Sequence, residues 1–177
     1  MQLNPEKQPP NLGLRQSRPV GPFITQVLES YQSTLHSHSI SLELDFDPLV
    51  AWFDSSLVRK ATQSLLDNAI ASMPNGGEIS ITLIDGDHQW ELEIADTKGM
   101  AFNSFQVESP NEDTDLPMII PFPETELLRT AHRAALDHGG HVQTWNCPQG
   151  GTAHALVIPK RSFGTGGPYS NSRPQQF

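Results

Sequence analysis

The chain has 177 residues, 20 acidic and 11 basic, for a formal net charge of -9 and a pI near 5.1. That length is one domain with room for tails, and the acidic balance excludes nonspecific attachment to nucleic acid or an anionic membrane, both of which repel it. A single cysteine, Cys147, excludes an intrachain disulfide and a cysteine-cluster zinc site; no apolar run reaches the roughly 20 residues of a bilayer span, and no basic-then-apolar leader opens the chain, so a cytoplasmic domain without membrane contact is expected.

Residues 1–19 read as a linker or disordered arm, because Pro5, Pro9, Pro10 and Pro19 punctuate them. Residues 22–35 predict a helix with Ile24, Val27, Leu28 and Tyr31 on one face. Ile40, Leu42, Leu44 and Phe46 alternate with polar residues, the pattern of a half-buried strand. Val50–Phe53 is a short strand. Asp54 is then placed to cap a helix over 55–73. Two alternating strands follow, Ile79-Ile81-Leu83 and Trp90-Leu92-Ile94, turned at Asp85-Gly86-Asp87. Residues 101–123 have four prolines and no period. Six acids and no Lys or Arg fall between Ala101 and Glu126, so -6 of the -9 sits there. A loop that long inside a domain is usually functional or disordered. A helix over about 124–137 ends at Gly139-Gly140. Strands near 141–147 and 152–158 close the pattern around a turn at 148–151. Residues 161–177, rich in Gly, Pro and Ser, read as a disordered tail. Residues 20–160 are thus expected to form one domain, a two-layer α/β sandwich with helices on one face of a mixed, mostly antiparallel sheet.

On the helix 55–73, Leu57, Val58, Ala61, Leu65, Leu66, Ala69, Ile70 and Met73 make one apolar stripe. Asn68 stands at its edge, one turn from Ser64 and Ser72. Periodicity alone reads this amide as bonded to nearby backbone or tilted toward water; a buried amide needs a partner in either case.

The string around it, LLDNAIASMPNGGEISITL, resembles the N-box of the histidine-kinase-type ATPases, the superfamily that includes gyrase, the heat-shock chaperone ATPase and the mismatch-repair ATPases. Leu65, Leu66, Asn68, Ala69, Met73, Pro74, Gly76, Gly77 and Ile79 match in place. Asp54 matches the acid before this helix. Ile94-Ala95-Asp96-Thr97 matches the start of the first glycine box, and His138-Gly139-Gly140-His141-Val142 the end of the last helix. Gly150-Gly151-Thr152 and Leu156–Pro159 match the closing hairpin. The resemblance, over residues 20–160 in order, is to the catalytic domain of a sensor histidine kinase, with the Bergerat fold. It implies ATP and magnesium as cofactors. Asn68 would be the metal ligand, consistent with magnesium taking oxygen ligands and few from protein. Asp96 would accept from the adenine amino group, Thr152 would lie beside the base, and Gly99 would be what remains of the first glycine box.

The phosphate side departs from the family pattern. Lys98 and Met100 stand where D-x-G-x-G has glycines, and a register shift reuses Gly99 only. Pro123-Glu-Thr-Glu-Leu-Leu128 aligns with the second box, G-x-G-L-G-L, and has no glycine. Backbone N–H groups at a helix N-terminus hold phosphate there; proline has none to give, and Glu124 and Glu126 add like charge. Ser64 replaces the first Asn of the N-box. Lys98 is the one cation here with a possible phosphate role.

No catalytic residue is assigned. His36 and His38 lack the helical H-E-x-x-x-P context of a phosphoacceptor and read as solvated loop histidines. Cys147 reads as a small buried hydrophobe. The expectation is the ATP-binding domain of a two-component kinase with weakened or lost ATP binding. Its partners would be a dimerisation and phosphoacceptor domain or a response regulator. The alternative is a noncatalytic pseudo-ATPase module.

Overall fold

The computed structural model describes residues 15–97, 126–148 and 150–160. The expectations for residues 1–14, for Lys98, Gly99 and the acidic loop, for the start of the last helix and for the tail lie outside the described residues. The elements run β1 (Arg15–Pro19), α1 (Val20–Glu29), α2 (Gln32–Ser37), β2 (Ile40–Phe46), β3 (Val50–Asp54), α3 (Ser55–Ser72), β4 (Gly77–Asp85), β5 (Gln89–Asp96), α4 (Glu126–Asp137), β6 (His141–Asn146) and β7 (Thr152–Pro159).

Five strands form one sheet in the order β2-β4-β5-β7-β6, parallel between β2 and β4 and antiparallel elsewhere. Alternation gives that sheet one apolar face. Ile79, Ile81 and Leu83 on β4, Trp90, Leu92 and Ile94 on β5, and Leu156 and Ile158 on β7 are all fully buried. The helices cover this face with Ile24, Val27, Val58, Leu65, Leu66, Ala69, Leu128, Ala131 and Ala135, which join the same core. Small side chains on α4 let it lie close against α3, which it packs on directly. The two-layer sandwich expected from the pattern is therefore the observed architecture. Among the described residues no helix is long and apolar enough to cross a membrane.

Two local expectations are revised. Residues 15–19, read as the end of a linker or arm, form β1 and pair antiparallel with β3, Arg15 opposite Asp54. The Arg15 guanidinium also donates to the carbonyl of Asp137 at the end of α4. The single helix predicted over 22–35 is two helices. Ser30 Oγ donates to the Val27 carbonyl at 2.7 Å, and Ser30 and Tyr31 N–H reach back only three residues, so the turn tightens and stops. Tyr31 OH then crosses to Asp67 on α3 at 2.9 Å, which fixes the break against the core.

Asp54 caps α3 as expected. Its Oδ1 accepts from Ser56 N at 2.8 Å, Ser56 Oγ at 2.6 Å and Leu57 N at 3.3 Å. Burial alone would raise its pKa; these bonds outweigh it and hold the carboxyl below its ordinary value. The last helix is tied to this cap. His138 Nε2 accepts from the Asp54 N–H at 3.0 Å while Nδ1 donates to the Ala134 carbonyl. One nitrogen accepts and the other donates, so this buried ring is neutral. Burial keeps its pKa below the ordinary value.

Candidate functional site

At one end of the sheet the apolar face turns polar. β5 finishes on Asp96, two residues past Ile94 and on the same face. β7 begins with Thr152 and His154, also on that face, before Leu156 and Ile158 resume the apolar pattern. His154 pairs across to Ile94 on one side and to Thr144 of β6 on the other. Asp96, Thr152 and His154 are all buried. Buried polar groups in a cluster cost free energy unless they are bonded, so such a cluster marks a site or a deliberate network.

Here it is a network roofed by α3. Asn68 Nδ2 lies 3.1 Å from His154 Nε2, and His154 Nδ1 lies 2.9 Å from Thr144 Oγ1. An amide nitrogen can only donate, so Nε2 is the acceptor and Nδ1 carries the proton. The imidazole is therefore neutral. Burial, reinforced by His132, pushes its pKa down to about 4. Asn68 Oδ1 accepts no hydrogen bond among the described residues, and the residue is partly exposed. One turn earlier, Ser64 Oγ is buried with no hydrogen-bond partner among them.

The turn from β6 into β7 closes tightly over Asp96. Gly151 has φ +93°, and a Cβ there would stand 1.8 Å from the Asp96 carbonyl oxygen and 3.1 Å from its Oδ1. Only glycine fits both the backbone conformation and that approach. Cys147 N donates to Gly151 O at 3.0 Å and holds the turn.

No family model matches the chain, and no curated protein matches it. Solved structures do. The catalytic domain of histidine kinase ThkA is 21% identical, with a TM-score of 0.64 over 82% of this chain and 95% of that one. The chain has the histidine-kinase catalytic-domain fold. The mycobacterial sensor histidine kinase MprB shares this kinase fold at 23% identity and a TM-score of 0.61, over 83% of this chain and 98% of that one. ThkA in complex with the response regulator TrrA matches at 20% identity and a TM-score of 0.62, over 83% of this chain and 42% of that one.

Within this kinase fold the structure brings Asn68, Asp96 and Thr152 to one corner, each carried by a different element; Gly99 lies outside the described residues. His154 and Thr144 belong to the same corner and were missed from sequence. The available signal was the alternation of β7, which puts a histidine where Leu156 and Ile158 predict an apolar residue. The other candidates are not drawn in. His36 and His38 are exposed at the end of α2, and no group of three metal-ligating side chains exists among the described residues. Cys147 is half-buried. Burial, with Glu93 and Asp96 nearby, pushes its thiol pKa up, which suits a small structural side chain and not a nucleophile.

Proposed function

We propose that this chain is the nucleotide domain of a histidine-kinase-type signalling protein in which ATP binding is weak or lost. It would then act through contact with a dimerisation and phosphoacceptor domain or a response regulator, as ThkA pairs with TrrA. The observation that carries this reading is the stretch leading into α4. Residues 123–128 are Pro-Glu-Thr-Glu-Leu-Leu, with no glycine and two carboxylates where the resemblance places the triphosphate.

The residues fit magnesium–ATP only in part. Asp96 and Thr152 are of the types that select an adenine edge, and Asn68 offers one amide oxygen of the kind magnesium takes. One neutral oxygen does not hold a hydrated magnesium ion unless phosphate oxygens supply further ligands. On the phosphate side Gly99 is left alone beside Lys98 and Met100, and residues 101–126 carry six acids and no base. Charges within a Debye length of about 8–10 Å act on a bound anion with little screening. No step of phosphoryl transfer is therefore assigned to this chain.

Calorimetric titration of the full chain with ATP, and separately ADP, at millimolar magnesium tests the reading. No saturable heat in the micromolar range is expected. Micromolar affinity for either nucleotide would overturn it. The alternative of a purely noncatalytic module rests on the same stretch and gains if binding is absent even at millimolar nucleotide.

A further inference from the structure

Asn68, His154 and Thr144 come from three elements, α3, β7 and β6, and form one hydrogen-bonded line. A side-chain amide has two ends of similar shape, and a flip exchanges an acceptor for a donor pair. Whichever end meets His154 decides which end faces the site. If Nε2 accepts, Asn68 must offer Nδ2 inward and Oδ1 outward. If Nε2 carried the proton, the amide would have to turn over, and an N–H pair would face the site.

We infer that His154 is a positioning residue: its Nδ1–H tautomer, held by Thr144 Oγ1, fixes the Asn68 amide with its oxygen toward the site. His154 is only 3% exposed, so water does not compete for the ring, and each ring nitrogen faces a partner. A phenylalanine of similar size could fill the same place between Asn68 and Thr144, but it would leave the amide free to rotate. The arrangement parallels how residues behind a metal ligand orient it, with the outer partner fixing which atom points at the ion. The inference uses the proposed function only in taking Asn68 as a site residue. The linkage itself exists with or without a ligand.

The test is nuclear magnetic resonance on the isotope-labelled full chain without nucleotide. Three signals are expected: the Nδ1–H tautomer at His154, a scalar coupling across the N–H···N bond between Asn68 Nδ2 and His154 Nε2, and an Asn68 amide proton displaced from the positions of a free asparagine. In His154→Phe the coupling disappears and the Asn68 amide protons move to the ordinary positions of a free asparagine. His154→Gln, whose amide oxygen can accept from Asn68, restores part of the shift. Should His154→Phe fail to fold, Thr144→Val reads the line from the other end, and the Nδ1–H tautomer of His154 should lose its dominance. An Nε2–H tautomer in the wild type, Asn68 signals unchanged in His154→Phe, or a tautomer unchanged in Thr144→Val overturns the inference. None of these readings depends on ATP, so the nucleotide titration can fail or succeed independently.

Discussion

Replacing His138 with leucine removes both hydrogen bonds of a buried ring while keeping apolar bulk. The Asp54 N–H loses its 3.0 Å acceptor at a buried position. An orphaned buried N–H costs about 1–3 kcal/mol. The Ala134 carbonyl loses the bond from Nδ1 but keeps the one from the His138 backbone N–H, so it adds only about 0.5–1 kcal/mol. The expected loss is about 2–4 kcal/mol, or on the order of 10 °C in Tm for a domain of this size. The effect should also depend on pH. The folded-state pKa of His138 lies below its ordinary value of 6.5, so between the two the unfolded chain binds the proton more readily. Wild-type stability from this residue is complete above the unfolded pKa and is lost as pH falls below it; the leucine variant has no such loss. Thermal or urea unfolding at pH 7.5 and pH 5 should therefore show a gap that narrows in acid. A variant within 0.5 kcal/mol of wild type at pH 7.5, or a gap that does not change, would refute the reasoning.

Three further outcomes follow from the same geometry. Gly151→Ala forces a Cβ to within 1.8 Å of the Asp96 carbonyl at φ +93°, so the β6–β7 turn must move. A loss of about 3 kcal/mol or more is expected, with shifted Asp96 and Thr152 resonances, and unchanged melting would count against the close approach. Asp54→Ala removes the α3 cap and should cost about 1–2 kcal/mol, measured by chemical denaturation, whereas Asp54→Asn should recover most of it. His154, with its pKa down to about 4, should contribute stability that is present above pH 6.5 and lost progressively down to pH 4. A drop from 6.5 to about 4 amounts to about 3 kcal/mol; His154→Phe should flatten the wild-type slope in that window, and an unchanged slope would exclude the neutral buried ring.

Most of the scaffold was legible because its determinants are local. Period-two alternation located β4 and β5, and Asp54 announced its cap. Gly139-Gly140 marked the end of α4 because Gly139 takes φ +77° and Gly140 lies against the Val157 carbonyl. What stayed illegible depends on partners far along the chain. The break at Ser30–Tyr31 is a contest between a local hydroxyl and helix continuation, settled by Asp67 36 residues away. β1 hides in a proline-bounded stretch because its pairing partner β3 lies beyond α1, α2 and β2. Of the candidate site, Asn68, Asp96 and Thr152 are expected from the resemblance, and the structure sets them at one corner of the sheet. The line from Asn68 through His154 to Thr144 could not be expected in that way, since β-strand register decides that Thr144 and His154 stand opposite each other.

The structure also separates two kinds of residue within the resemblance. Several matched positions have work to do in this fold with no nucleotide present. Asp54 caps α3, His138 ties α4 to that cap, Gly140 admits the β7 backbone, and Gly151 admits Asp96. Asn68 has such work too, as the roof of a bonded line to β6. Losing any of these costs stability whether or not ATP is ever bound. The departures, at Lys98, Met100 and residues 123–128, fall where the resemblance assigns no role except receiving phosphate. A chain that keeps its fold and relinquishes its triphosphate should diverge in that way. Survival of a motif residue is then weak support for a ligand whenever the residue also holds the scaffold. The sharper question is asked of residues with a single job, and against the pattern the sequence resembles, the glycines that only phosphate requires are the ones without a counterpart here.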